Sequence, residues 1–171
     1  MTSLLSPSRN LLQQQPLQEG ENALYHSLKR LPRRAQQVFL YSRLDGLGLA
    51  AIAQRMGLAP HTVSKDMRRV LEHCSPHGKD EGNQAIAWYV RLQSPNTTAS
   101  ERIDFRRWLD ADTANLNAFH ATEMRWRQLL APARLLGAGQ WYHKRWGHMS
   151  WRAWAGLAAL TALLAELAAW I

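Results

Sequence analysis

A group of cationic and hydroxyl side chains between residues 61 and 69 has the chemistry to contact nucleic acid. Its members, which would point outward from one helix, are His61, Thr62, Ser64, Lys65, Arg68 and Arg69. Arginine and lysine contact phosphates or the edge of guanine, while serine and threonine hydrogen-bond to several groups on DNA. The formal net charge of +8 also favours an anionic partner. These residues are therefore the candidate DNA-binding residues.

The segment that leads into this group has the pattern of a helix-turn-helix over residues 52–63. The small side chain of Ala53 lets two helices cross closely, and Gly57 permits the tight turn between them. Leu58 and Val63 would fill the space between the two helices. This geometry presents the second helix to a DNA major groove. The alternative interpretation is a helical hairpin whose basic face is simply solvated.

The sequence contains no recognisable catalytic motif. It has no glycine-rich phosphate loop, no metalloprotease signature and no nucleophile elbow. His73, Cys74 and His77 lie close together, but a fourth ligand at suitable spacing is lacking, which favours chance clustering over a metal site. We therefore expect no catalytic residue, no bound metal, no cofactor and no enzymatic activity.

Helix-forming residues dominate the composition and predict an all-α protein. We expect a flexible N-terminus over residues 1–20 and a four-helix domain, containing the helix-turn-helix, over residues 21–74. Residues 75–83 have the composition of a linker. A short three-helix segment is expected over residues 84–130, with Thr98 and Glu101 forming a capping box at the start of one helix. Residues 131–152 are expected to form a second, juxtamembrane linker.

All 8 tryptophans lie in the second half of the chain, from Trp88 onward. Large apolar residues recur there at helical spacing, and the candidates for partner binding are Trp88, Leu92, Trp108, Leu109, Phe119 and Trp126. One interpretation is that they pack only on each other as a small core. The other is that some of them dock onto a partner, because a unit of this size buries little surface alone and aromatic residues are favoured at binding hot spots. The spacing leaves both interpretations open.

Residues 153–171 are almost wholly apolar, with Thr161 and Glu166 as the exceptions. This length is close to the roughly 20 residues that a membrane-spanning helix needs. Lys144, Arg145 and Arg152 precede the segment, so the positive-inside rule places the N-terminal units in the cytoplasm. The sequence thus predicts a C-terminal transmembrane helix and a single-pass protein of the bacterial inner membrane. The alternative is a last helix that completes a core or a dimer interface.

Residues 31–34, 38–40, 43–47 and 68–74, together with the helix-turn-helix, resemble the C-terminal domain of an extracytoplasmic-function sigma factor of the iron-uptake type. The resemblance covers residues 21–74. It implies that promoter DNA (the −35 element) and RNA polymerase are partners, and that the six candidate residues occupy DNA-reading positions. One departure is Ala59, where the family usually has a serine N-cap. A second is that residues 1–20 have no counterpart of the sigma domain that melts promoters, so we expect that the chain does not start transcription alone.

Residues 85–94, 105–112 and 117–126 resemble the cytoplasmic N-terminal segment of FecR-like regulators. That family joins an anti-sigma segment to a membrane span and a periplasmic sensor, and we expect no counterpart of that sensor within residues 1–171. The resemblance implies a sigma/anti-sigma hybrid in cell-surface signalling, linked to iron or siderophore uptake. Its partners would be a sigma factor or the chain's own sigma-like domain and, through a periplasmic domain, a TonB-dependent outer-membrane receptor.

Two other functions remain open from the sequence. The first is a soluble helix-turn-helix regulator of transcription. The second is a protein-interaction module whose helix-turn-helix does not bind DNA, for which DNA binding would be weak and insensitive to salt.

Overall fold

The computed structural model describes the backbone of residues 8–75 and 80–143, and the side chains of residues 19–75 and 82–143. Within these ranges the chain is helical and contains no strand, which confirms the all-α prediction for them. The helices are α1 (Ser8–Arg30), α2 (Arg33–Arg43), α3 (Leu49–Met56), α4 (Pro60–Cys74), α5 (Asp80–Leu92), α6 (Ala99–Ala111), α7 (Thr113–Gln128) and α8 (Leu130–Leu136). A short 3-10 segment, Ala138–His143, follows α8.

The corner between α1 and α2 is closed by the buried amide of Gln36. Its Nε2 atom lies 2.9–3.1 Å from the carbonyl oxygens of Leu28, Lys29 and Leu31. Carbonyls at the end of a helix have no partner within the helix, so the amide satisfies groups that burial would otherwise penalise. Pro32 stands at the N-cap of α2. This corner orients α2 for its contacts with α4.

One hydrophobic core joins the first four helices to the later ones. Helix α5 packs against both α4 and α7, and α8 packs against α1. The side chains that the later helices contribute to this core are Ile86, Val90, Leu129, Ala133, Leu136 and Tyr142. Residues 21–74 and the helices after residue 80 therefore form one packed body within the described part of the chain.

The segment after α8 is attached to α2 and to the turn that follows it. The Tyr142 hydroxyl donates a hydrogen bond to Asp45 at 2.9 Å, and His143 Nε2 lies 2.8 Å from the second carboxylate oxygen. The Arg33 guanidinium lies 4.1 Å from the centre of the Trp141 ring, a cation–π contact. Burial, and next the hydrogen bond to Asp45, raise the pKa of Tyr142 to about 12. Residues 130–143 are thus packed structure, where the sequence suggested a linker over 131–152.

Two further element boundaries differ from the expected ones. Helix α1 begins at Ser8, inside the segment 1–20 that was expected to be flexible. Its sequence is rich in leucine, glutamine and glutamate, which have high helix propensity. Helix α5 begins at Asp80, inside the expected linker 75–83, and acidic residues are favoured in the first turn of a helix.

The predicted single-pass inner-membrane localisation is contradicted. Among the residues that the structure describes, no helix has the length and apolar character needed to cross a membrane. The longest of these, α1, has 23 residues, but glutamines, glutamates and other polar residues interrupt it throughout, whereas a span needs about 20 predominantly apolar residues in succession. The segment 153–171, where the transmembrane helix was predicted, lies outside the described residues.

The shared core predicts that a substitution in α7–α8 destabilises the whole body. Leu129 is fully buried, so Leu129→Ala should lower the free energy of unfolding by about 2–5 kcal/mol. Urea unfolding should be followed by circular dichroism, which reports all helices, and by tryptophan fluorescence, which reports only residues from Trp88 onward. The two transitions should coincide and shift together.

The control is Leu135→Ala, because this leucine is 56% exposed on α8 and should change stability by less than about 0.5 kcal/mol. If the core is not shared, unfolding followed by circular dichroism should show two steps, and Leu129→Ala should shift only the step that coincides with the fluorescence transition.

Candidate nucleic-acid interface

Helices α3 and α4 form the predicted helix-turn-helix. Gly57 ends α3 with a φ of 65° and a ψ of 35°, in the left-handed region that glycine adopts without steric cost. Val63 is fully buried between the helices, as the pattern predicted. Ala59 occupies the N-cap of α4, where its methyl side chain cannot cap the backbone N–H groups. Pro60 is the first residue of the helix.

All six candidate DNA-binding residues lie on α4, and none of them is buried. His61, Lys65, Arg68 and Arg69 are exposed, and Thr62 and Ser64 are half-buried. The buried side of the same helix consists of Val63, Asp66, Met67, Val70, Leu71 and Cys74. The structure therefore separates the cationic residues from the core side of the helix.

An ion pair between the buried Asp66 carboxylate and the half-exposed Arg34 guanidinium holds α4 against the start of α2. Asp66 is 2% exposed, and its carboxylate accepts two hydrogen bonds from the Arg34 guanidinium, at 2.6 and 3.3 Å. The hydrogen bond to Asp66 raises the pKa of Arg34 above its ordinary value. Arg69 Nη1 lies 4.0 Å from the same carboxylate. Asp66 thus links the core side of α4 to one of the candidate DNA-binding arginines.

The cationic side of α4 forms one wall of a cleft whose opposite wall comes from α5 and α6. The cleft has a volume of about 870 Å³. From α4 it is lined by His61, Ser64, Lys65, Arg68, Arg69 and Glu72, and from the opposite wall by Gln84, Ala87, Trp88, Val90, Arg91, Ser94 and Glu101. Five of the six candidate residues therefore meet in this cleft, and Thr62 is the one that does not line it.

Two ion pairs neutralise part of the charge in the cleft. Arg68 lies 3.4 Å from Glu72 on α4, and Arg91 donates a hydrogen bond to Glu101 at 2.6 Å on the opposite wall. The Thr98 backbone N–H, and next the Arg91 guanidinium, hold the pKa of Glu101 below its ordinary value. Glu101 also closes the predicted capping box with Thr98.

Sequence reasoning did not single out Arg91 or Glu101 as site residues. Arg91 follows Trp88 by three positions and thus shares its side of α5, which was a usable signal. Nothing in the sequence indicated that this side faces α4.

The six candidate partner-binding residues are all half-buried. Trp126 packs edge-to-face on Phe39 of α2 with ring centroids 5.8 Å apart, and the Arg43 guanidinium lies 5.1 Å from the Trp126 ring centre. A series of further ring contacts, through Tyr89, Phe119 and Phe105, extends to Trp88 and Trp108. The aromatic residues thus pack on each other and, through Trp126, on the sigma-like helices.

The cluster around Cys74 has no metal-binding geometry in the described part of the chain. No group of three His, Cys, Asp or Glu side chains there could hold a metal ion, and His77 lies outside the described residues. Cys74 is buried, and burial raises the pKa of its thiol to about 12.

Two family models match the chain. Residues 21–74 match Sigma-70, region 4, and residues 83–124 match a domain of unknown function, DUF4880, which is of a type found at the N-terminus of FecR-associated proteins. The first match supports a DNA-binding, sigma-like domain that contacts promoter DNA and RNA polymerase. None of the curated proteins and none of the solved structures matches the chain.

The buried carboxylate of Asp66 predicts a stability effect that an exposed carboxylate in a similar pair should not show. Asp66→Asn removes a charge-assisted contact at a site that is 2% exposed, and should lower the free energy of unfolding by about 1–3 kcal/mol. The matched control is Asp104→Asn, which removes a carboxylate that is 52% exposed beside Arg107. Urea titrations of the two variants should differ clearly, and equal midpoints would contradict a structural role for Asp66.

Proposed function

We propose that this protein regulates transcription by binding promoter DNA through α4, and that its own α5–α6 helices restrict the access of DNA to that helix. The observation that carries the proposal is the cleft. Five candidate DNA-binding residues of the sigma-like domain share it with side chains of the FecR-like segment. One chain thereby combines promoter recognition with sequestration.

The charges on α4 support the DNA-binding part of the proposal. Lys65, Arg68 and Arg69 extend from the exposed side of one helix, and the chain carries a formal net charge of +8. Duplex DNA attracts such a surface through its phosphates, whereas the hydroxyl and cationic groups nearest the groove read the base edges.

The position of α5 and α6 supports the sequestration part. A major groove is about 12 Å wide and admits a single helix. A recognition helix reads bases mainly with its N-terminal residues, which here include His61 and Ser64. Since Trp88, Arg91 and Glu101 stand across the cleft from these residues, a duplex that reaches them must displace α5–α6 from the opposite wall.

Attachment in one chain makes this restriction the resting state. A tethered segment has an effective concentration of the order of millimolar relative to its target, and here α4 and α5 also share a core. Release therefore costs free energy and weakens duplex binding by the chain alone, and RNA polymerase and a separate sigma factor are candidates to offset that cost. The link to iron or siderophore uptake, and to a TonB-dependent receptor, comes from the FecR-like resemblance alone and stays a prediction.

The DNA-binding part of the proposal predicts that the salt dependence of DNA affinity decreases when a cation of the cleft is removed. In the full chain, Lys65→Ala should weaken binding to duplexes with −35-type promoter sequences and reduce the slope of log affinity against log salt by about 1. Fluorescence anisotropy across a salt series measures both quantities. Arg107→Ala is the control, because Arg107 is 78% exposed on α6 and does not line the cleft. If the two variants have the same slope, α4 does not contact the phosphates.

The sequestration part predicts tighter DNA binding when the second wall is weakened. Glu101→Gln removes the ion pair with Arg91 but keeps a residue type that can close the capping box. We expect the variant to bind the same duplexes about threefold more tightly than the wild type, because one partly exposed ion pair contributes no more than about 1 kcal/mol.

Asp104→Asn is the matched control for this experiment. It also removes one carboxylate and one ion pair from α6, but outside the cleft. Any gain in DNA affinity that comes from the change in net charge alone should appear in both variants. An equal gain in both would therefore exclude a specific role of the second wall.

A further inference from the structure

The cleft between α4 and α5–α6 has the size of a small-molecule site. Its volume of about 870 Å³ lies within the range of roughly 300–1,000 Å³ that is typical of ligand pockets. Its two walls belong to different parts of the chain, since one is the recognition helix and the other is the FecR-like segment. A molecule in this cleft touches both walls at once.

The charge of the cleft favours an anionic ligand. Five cationic or titratable basic side chains line it against two carboxylates, Glu72 and Glu101. Each of those carboxylates is already in an ion pair, with Arg68 and with Arg91 respectively. Lys65 and Arg69 are exposed on the α4 wall, and Arg69 makes only a long contact, 4.0 Å, with the Asp66 carboxylate, which is already paired with Arg34. These two cations are placed to bind a phosphate group.

The opposite wall carries an aromatic side chain. Trp88 lines the cleft and is half-buried, and its indole packs on Phe105 with ring centroids 5.6 Å apart. This contact restricts the indole ring. Nucleic-acid bases stack on such rings regardless of sequence. Gln84 and Ser94, on the same wall, offer polar groups to the edge of a base.

We infer that the cleft binds a nucleotide, with the base against Trp88 and the phosphate between Lys65 and Arg69. An aliphatic dicarboxylate leaves the indole surface unused, and an uncharged aromatic compound leaves the two cations without a partner. A nucleotide uses both features. The bound nucleotide is either a free mononucleotide or an unstacked nucleotide of a single strand. The paired and stacked bases of a duplex expose no face to the indole.

A ligand that contacts both walls binds best when the walls are together, and so it stabilises that arrangement. Where the proposed sequestration holds, a bound nucleotide therefore lowers the affinity of the protein for duplex DNA. The occupancy of the cleft itself does not depend on that proposal, because the binding residues are already assembled in the chain without DNA.

Isothermal titration calorimetry on the full chain tests the site with four probes: adenosine monophosphate, adenosine, inorganic phosphate and a single-stranded adenine trinucleotide. We expect a stoichiometry of one per chain for the monophosphate or the trinucleotide, and an affinity at least about tenfold above those of adenosine and phosphate, since both halves of the ligand are recognised. The tighter of the two identifies the source of the nucleotide. Equal affinities for all four probes, or no binding of either nucleotide, would overturn the inference.

Variants assign the binding to the two walls. Lys65→Ala should weaken the binding of both the monophosphate and inorganic phosphate. Trp88→Leu should lower the affinity for the monophosphate to that for inorganic phosphate. Trp88→Phe keeps an aromatic ring and should retain most of the binding. If Trp88→Leu fails to fold, Lys65→Ala still decides the matter, because Lys65 is exposed on α4. Arg107→Ala, outside the cleft, should change nothing. Nucleotide binding that survives both Lys65→Ala and Trp88→Leu unchanged, or that survives Lys65→Ala unchanged where Trp88→Leu does not fold, would place the ligand elsewhere and overturn the inference.

A duplex-binding assay with and without the monophosphate separates this inference from the proposed function. Binding of the monophosphate without any duplex binding supports the site and refutes the promoter-binding function. Duplex binding without any nucleotide binding refutes the site and leaves the function standing.

Discussion

Packing around α4 is the constraint on which the rest of the structure depends. This helix contacts α2 and α3 within the sigma-like domain, and it also contacts α5 and α7 from the second half of the chain. A domain as small as residues 21–74 buries only a limited part of its surface, and side chains such as Ile86, Val90 and Leu136 enlarge its core. Because the cationic residues lie on the outer side of the same helix, the packing that stabilises α4 also decides what stands in front of them.

Electrostatic interactions divide along the same line between the core and the cleft. The Asp66–Arg34 pair is held at a carboxylate that is 2% exposed, so it orients α4 and is costly to break. The Arg68–Glu72 and Arg91–Glu101 pairs lie at the cleft and are partly exposed. Exposed pairs contribute little to stability, so a phosphate can replace their carboxylates without disturbing the fold. A small anion can thereby exchange with these carboxylates while the core stays intact, whereas a duplex that displaces α5–α6 also breaks the core contacts of Ile86 and Val90.

Short-range features of the fold were predictable from the sequence. Ala53, Gly57 and Val63 indicated the helix-turn-helix, and Thr98 with Glu101 indicated a capping box, because each pattern depends on residues within a few positions. The single-pass membrane location was wrong, since no described helix could span a membrane. The packed segment Leu130–His143 was not foreseen. Its partners on α1 and α2 lie far away in the sequence, and helical periodicity shows that a side is apolar but not what covers it.

The sequence by itself determined that the chain is helical, where the turn of the helix-turn-helix falls and which side of α4 is cationic, because these properties follow from local propensity and spacing. Only the tertiary structure decided that Trp88, Arg91 and Glu101 face that side, and that Tyr142 reaches Asp45 across 97 positions of the chain. The physical reason is that such contacts depend on how several apolar surfaces are buried together. Many pairings would bury a similar area, and the shape of the whole core selects among them.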